Sequence, residues 1–297
     1  MRIGVDLGGH TITVARVLLQ EGQRPLIDEA AEIRTPPERG VADVMDAIAS
    51  LAAALSAGHE AEGVGLTVPG ALDAYRRYTK RMSNFPKEWD CLDIPNALSR
   101  AMAGKGLSLP VKIENDANCY ALGEGAAGEA VGLSDYVVFT MGTGIGCGIV
   151  VGGRLITGAH GLAAEGGHIV VSGNAPCGCG GIGHSETLAA ADGTRKRAEA
   201  LGLPGDFRDL WAMRGDPAAK RVLDVTLDGM ARTVATVCQL LDPEAVIIGG
   251  GMSRAEGIAD AIKEAAMPYL GLPYREFLNL RVSSLDSKAA LYGAAFI

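Results

Sequence analysis

Between Glu165 and Glu186 the chain reads EGGHIVVSGNAPCGCGGIGHSE. His168, Cys177, Cys179 and His184 crowd into this one stretch. Imidazole nitrogen and thiolate sulfur are borderline-soft donors that suit zinc, and a structural tetrahedral site takes four of them. The Cys-x-Cys step puts two thiolates on one tight turn. Gly178, Gly180, Gly181 and Gly183 let that turn bend without side-chain clashes. A glycine-rich surface loop with a core histidine and two idle thiols is the alternative, but four soft donors in so short a span favour the metal. Glu165 and Glu186 sit just outside the ligands. Carboxylates fixed beside a rigid knot can accept strong charge-assisted bonds from hydroxyl groups such as a sugar carries; solvated loop charges are the alternative.

A second constellation is Glu114-Asn115-Asp116-Ala117-Asn118, where a short strand from Val111 meets a helix. Asn and Asp at such a junction serve as helix caps, or they project amides and a carboxylate into a cleft. Two glycine turns follow apolar strands: Asp6-Leu7-Gly8-Gly9, with Thr11 opening the next strand, and Gly142-Thr143-Gly144-Ile145-Gly146. Backbone N–H groups at such turns approach a phosphate closely. Asp6, at a strand end, can orient Mg²⁺ through water. Each turn alone is also a plain hairpin. Repeated, the plan of strand, glycine turn and strand points to two related lobes, each holding one side of a nucleotide. A third glycine run, Gly249-Gly250-Gly251, follows the all-apolar strand from Ala245 to Ile248 and reads as a nonspecific turn or as a surface for an adenosine.

These residues need a frame. Alternation and apolar runs predict strands at 3–8, 11–18, 26–34, 63–69, 111–114, 136–141, 147–151, 154–156, 245–248 and 278–282. Helical spacing and stop signals predict helices over 41–57, 94–104, 185–201, 207–213, 217–241, from about Arg254, and over 286–297, where Gly293 allows close packing. Leu72 to Met82 reads as an exposed excursion whose Arg76, Arg77, Lys80 and Arg81 form a solvated face. Hydrophobic residues make up 48% and charged ones 21%, the balance of a globular protein, and the net charge is −8. An acidic chain without Lys/Arg runs excludes nucleic acid as the expected partner. No run of about 20 apolar residues predicts a membrane span. MRIGVDLGG reads directly as a strand and not as a signal sequence, and the four cysteines outside the metal stretch have no disulfide-like pattern, so the cytoplasm is expected.

The metal stretch resembles the signature of the ROK family of sugar kinases and sugar-responsive repressors. Gly158, Gly161, Glu165, Gly167, His168, Cys177, Cys179, Gly180, Gly183 and Glu186 match it, while Ala164 replaces a Gly, Gly166 an apolar residue and His184 the third Cys. Residues 114–124 match the family's Glu-Asn-Asp-Ala-Asn-x-x-Ala-x-Gly-Glu nearly letter for letter, and His10 stands where the first phosphate motif has Thr. The resemblance covers essentially the whole chain. It implies an α/β fold with two lobes of the actin/hexokinase (ribonuclease H-like) type: a small lobe of residues 1–115 plus 286–297 and a large one of 116–285. It implies ATP-dependent phosphorylation of a hexose or N-acetylhexosamine, glucose first and N-acetylmannosamine next. Asp116 would be the base. Gly70, Asn84, Asn115, Glu165, His168 and Glu186 would bind sugar. Asp6, Gly8, Gly9, Thr11, Thr143, Gly144 and Gly249 to Gly251 would hold Mg²⁺ and ATP, and zinc would be structural. A homodimer is expected. Two other classes share the pattern: a sugar-sensing repressor, which carries a helix-turn-helix ahead of the first glycine motif, and a sugar-binding protein without turnover. Asp6 already lies in the first strand, against the repressor.

Overall fold

A computed structural model describes residues 1–20, 22–35, 40–82 and 85–297. The chain forms two compact units: residues 1–131 with 155–163 and 287–297, and residues 132–154 with 164–286.

In the first unit β1 (Arg2–Leu7), β2 (Thr11–Leu18) and β3 (Leu26–Arg34) form an antiparallel meander. Helix α1 (Val41–Ser56) then leads to β4 (Val64–Val68), which lies parallel to β1. The hairpin of β5 (Ala71–Leu72) and β6 (Thr79–Arg81) and the helix α2 (Ile94–Ala103) precede β7 (Val111–Asn115), parallel to β4, and α3 (Asp116–Ala127). The sheet order is β3-β2-β1-β4-β7. All five residues of β4 are buried, as a central parallel strand covered on both faces requires.

The second unit repeats the plan. β8 (Tyr136–Met141), β9 (Ile145–Val151) and β10 (Arg154–Leu155) are followed, after α4 (Ser185–Ala189), α5 (Ala191–Glu199), α6 (Phe207–Ala212) and α7 (Pro217–Leu241), by β11 (Ala245–Gly249). Next come α8 (Ile258–Ala266), α9 (Leu272–Phe277) and β12 (Leu280–Val282), giving the order β10-β9-β8-β11-β12. Helix α7 is set by local signals: Asp216 caps it through the N–H groups of Ala218 and Ala219, Pro217 opens it, and Asp242 ends it in the left-handed region. Where one helix over 185–201 is expected, Ala190 is extended, and the N–H of Ala191 turns aside to the Gly142 carbonyl at 2.9 Å. The helix expected from Arg254 starts at Ile258, because Gly257 stands at φ +79°.

The chain ends in α10 (Lys288–Ala294), back in the first unit. Four glycines bring its backbone into contact with its neighbours. A Cβ at Gly4 or Gly65 would lie 2.3 or 1.7 Å from the carbonyl oxygen of Leu291 or Ala294. A Cβ at Gly123 would lie 1.9 Å from that of Ala289, and one at Gly293 1.7 Å from that of Cys119. This contact places α3 in the first unit, so the division falls after Val131 and not between Asn115 and Asp116. Gly293→Ala is expected to destabilise the protein by about 1–3 kcal/mol or more, because neither backbone can give way. A denaturant midpoint equal to that of the unsubstituted protein would contradict this packing.

Candidate functional site

Parallel pairing brings the first group of residues together at the C-terminal ends of β1, β4 and β7. Asp6 lies opposite Thr67 on β4, and Thr67 and Val68 lie opposite Glu114 and Asn115 on β7. The Thr67 hydroxyl donates to Asp6 Oδ1 at 2.6 Å. Burial nevertheless pushes the Asp6 carboxyl above its ordinary range. Asp116 opens α3. Solvent reaches its side chain, yet the surrounding protein crowds the carboxyl, and desolvation pushes it up to about 6. The N–H of Ala117 opposes that rise, and the charge of Asp6 adds to it. A carboxyl poised near neutrality is suited to accept a proton.

Asn115 is fully engaged by the protein. Its Oδ1 accepts from the N–H groups of Ala117 and Asn118, capping α3 at 2.9 and 3.1 Å. Its Nδ2 donates to the Gly70 carbonyl at 3.2 Å and to Asp116 Oδ1 at 2.9 Å. Gly70 stands at φ +140°, where a Cβ would lie 2.3 Å from the Arg81 carbonyl oxygen. The first glycine turn is closed by Gly8 N–H to the Thr11 carbonyl at 2.9 Å. Thr35 braces it, donating from its hydroxyl to the Gly8 carbonyl and from its N–H to that of His10. The His10 and Thr11 side chains are exposed. Asn84 lies outside the described residues.

In the second unit Gly249 pairs with Thr140, so the turns that end β11 and β8 lie side by side. Gly250 stands at φ +84°, where a Cβ would lie 2.6 Å from the Met141 carbonyl oxygen. Thr143 is exposed at the tip of the second glycine turn, and the turn is closed by Gly142 N–H to the Gly144 carbonyl at 3.0 Å. Backbone N–H groups at glycine turns of this kind are able to approach a phosphate closely.

The metal stretch folds on itself through isolated bridges, Val170 with His184 and Pro176 with Ile182. One ligand atom from each of His168, Cys177, Cys179 and His184 falls in a group in which all lie within 4.8 Å of one another. Cys177 Sγ is 3.7 Å from His168 Nδ1, and Cys179 Sγ is 3.2 Å from His184 Nδ1. A zinc tetrahedron has ligand-to-ligand edges of about 3.5 Å, so the donor set fits the ion. Two thiolates and two neutral imidazoles also balance its charge. Burial pushes the Cys177 thiol up to about 11, so its thiolate needs a cation beside it. With Nδ1 turned to the metal group, His168 Nε2 faces Glu165 Oε2 at 3.8 Å, the place of a carboxylate that orients a metal-bound imidazole.

Comparison with known families matches residues 2–297 to the ROK family. The chain belongs to the ROK family. It is 36% identical to a glucokinase of Thermotoga maritima, with 99% of this chain and 96% of that one covered. The ROK hexokinase of Thermus thermophilus has the same fold with a TM-score of 0.84 at 35% identity, covering 99% of this chain and 96% of that one. A Streptomyces griseus ROK glucokinase in complex with glucose and AMPPNP aligns with a TM-score of 0.80 at 31% identity, covering 99% and 98%.

The departures from the ROK signature have physical counterparts. Ala164 stands at φ +66°, a conformation that explains why a Gly is usual there. Gly166 has no room for the usual apolar side chain, since a Cβ would lie 2.7 Å from the Phe139 ring and 2.8 Å from Cys147. His184 meets the donor group as the third Cys would.

Sequence reasoning missed Arg76, which it assigned to a solvated face. Arg76 sits at φ +53° and is largely covered. Its Nε pairs with Glu114 Oε2 at 2.7 Å, and its Nη1 donates to the Gly161 carbonyl at 3.0 Å. Glu114 Oε1 in turn accepts from Asn115 N–H at 2.8 Å and Asn118 Nδ2 at 3.0 Å. Arg76 thus neutralises the buried carboxylate that holds the strand end carrying Asp116. Glu114 and Gly161 lie 38 and 85 residues away from it, beyond any local pattern.

Proposed function

We propose that this protein transfers the terminal phosphoryl group of ATP to a hexose hydroxyl, with glucose the foremost substrate. The observation that carries the reading is Asp116 held at the start of α3 by the Asn115 amide and the Ala117 N–H, both 2.9 Å from its Oδ1, within a chain that matches glucokinases over almost its whole length. Asp116 takes the proton from the attacking hydroxyl. The rest of phosphoryl transfer is positioning and charge neutralisation. Asp6 would hold Mg²⁺, which would neutralise phosphate charge; the turns at Gly8–Thr11 and Thr143–Gly144 hold phosphates, and Gly249 to Gly251 receive the adenosine. Glu165, His168 and Glu186 bind sugar hydroxyls, with Gly70 and Asn84. Asn115, its amide committed within the protein, serves the sugar by fixing Asp116.

His168, Cys177, Cys179 and His184 would hold zinc, which would fix the stretch between Glu165 and Glu186, the two carboxylates that meet the sugar. Four protein ligands leave no open position, so its part is structural. The proposal includes a homodimer working in the cytoplasm. Among the described residues no helix is long and apolar enough to cross a membrane.

A coupled ADP-release assay over a panel of hexoses and N-acetylhexosamines tests the reading. Glucose is expected to give the highest kcat/KM, and kcat/KM is expected to fall as pH drops through about 6, where Asp116 gains its proton. A panel in which no sugar is phosphorylated overturns it.

A further inference from the structure

Glu186 stands between two groups of residues. It belongs to α4, which is anchored on α7: the Thr233 hydroxyl donates to that of Ser185 at 2.5 Å, and a Cβ at Gly229 would lie 2.7 Å from Leu188 Cβ. From this fixed element Glu186 Oε2 accepts the N–H of Ile145 at 2.9 Å. That N–H belongs to the second glycine turn. Gly144 is a glycine at the point of closest approach, since a Cβ there would lie 2.5 Å from the same oxygen. A second bond, Ala191 N–H to the Gly142 carbonyl at 2.9 Å, ties the other arm of the turn to the start of α5. The remaining oxygen, Oε1, faces Cys177 Sγ in the metal group at 3.6 Å.

A glycine turn has little stiffness of its own. Its N–H groups hold phosphate well only if they are aligned before the ligand arrives, because ordering them on binding lowers affinity. An ionised carboxylate on an anchored helix is a strong partner for that alignment. It also stands beside the metal stretch, where a sugar hydroxyl would reach it.

We propose that Glu186 is a positioning residue for the nucleotide as well as a sugar ligand, its carboxylate holding the Gly142–Gly146 turn in shape for the donor phosphates. The inference rests on the kinase reading above. One side chain then serves both substrates: the oxygen that holds the turn and the oxygen that meets the sugar are parts of one rigid group. Sugar bound at Oε1 fixes the carboxylate, and the fixed carboxylate fixes the turn.

The test compares Glu186→Ala with Glu186→Gln in zinc-loaded protein, by calorimetric binding of a non-hydrolysable ATP analogue with Mg²⁺ in the absence of sugar. Alanine removes the acceptor of the Ile145 N–H, and the dissociation constant is expected to rise about tenfold, the effect of one charge-assisted hydrogen bond. Glutamine keeps an oxygen for that N–H and turns its amide toward the Cys177 sulfur, so nucleotide affinity is expected to stay within about twofold. Sugar affinity is expected to fall in both. Unchanged nucleotide affinity in Glu186→Ala, or an equal loss in both variants, overturns the inference. Failure of the unsubstituted enzyme to phosphorylate any sugar overturns the kinase reading instead, and the two failures are separate measurements.

Discussion

Asp116→Asn is expected to lower kcat by about 10²–10⁴-fold, the contribution of a positioned base, while sugar affinity measured by calorimetry changes little. The amide keeps the shape of the carboxyl and an oxygen for the N–H of Ala117 and the Nδ2 of Asn115, which both reach Oδ1 at 2.9 Å. It lacks the basicity to take a proton. A second signature separates loss of the base from loss of the fold. The Asp116 carboxyl is raised from 3.8 to about 6, first by desolvation and then by the charge of Asp6. A raised carboxyl means that the ionised form is disfavoured in the folded protein. The penalty is absent below 3.8, grows as pH rises toward about 6, and is constant above. The asparagine variant therefore melts higher than the unsubstituted protein at pH 7.5, and the gap closes on acidification toward pH 4. A variant that keeps more than a tenth of kcat would remove Asp116 from the chemistry. One that melts lower at pH 7.5 would show that its loss is structural.

Cys177→Ser is expected to lose the metal, with a rise in the KM for sugar of about tenfold or more and a smaller change in the KM for ATP. Serine keeps the volume but offers no thiolate, and three remaining donors make an incomplete tetrahedron. The loss reaches the sugar through two contacts. His168, no longer held at Nδ1, ceases to present Nε2 to Glu165 across 3.8 Å. Glu186 Oε1 loses the sulfur that it faces at 3.6 Å. The nucleotide is less affected, because the turn that meets its phosphates keeps the Ile145 bond to Glu186 and the Gly142 bond to Ala191. Elemental analysis with steady-state kinetics reads both effects. Protein prepared without chelators that carries well under one zinc per chain, yet phosphorylates sugar normally, would end the structural role of the metal.

The chemistry of this protein was legible where it depends on residue type and short spacing. The four soft donors, the two glycine turns after apolar strands and the Asn-Asp-Ala-Asn junction are each written within a few residues. The structure brings His168, Cys177, Cys179 and His184 together as their spacing implied. Local physics also set most element limits: Asp216, Pro217 and Asp242 bound α7, and alternation marked β2. What remained hidden depends on pairs far apart in the chain. The placing of α3 turns on Gly123 and Gly293 meeting backbones from opposite ends of the sequence. Glycine announces freedom, not the neighbour that will use it. Arg76 looked like one cation of a solvated cluster, and only the folded chain sets it against the buried Glu114. Asn115 reads as a helix cap or a cleft residue; the folded chain uses its oxygen in the cap and its nitrogen at the Gly70 carbonyl. Glu186 reads as a carboxylate beside a metal knot. Its bond to Ile145 spans 41 residues and exists only because α4 is anchored on α7. Residue type determines which chemistry a side chain can do; tertiary packing decides which of its partners it finds, because a hydrogen bond is directional and short while the chain that brings its partners together is long.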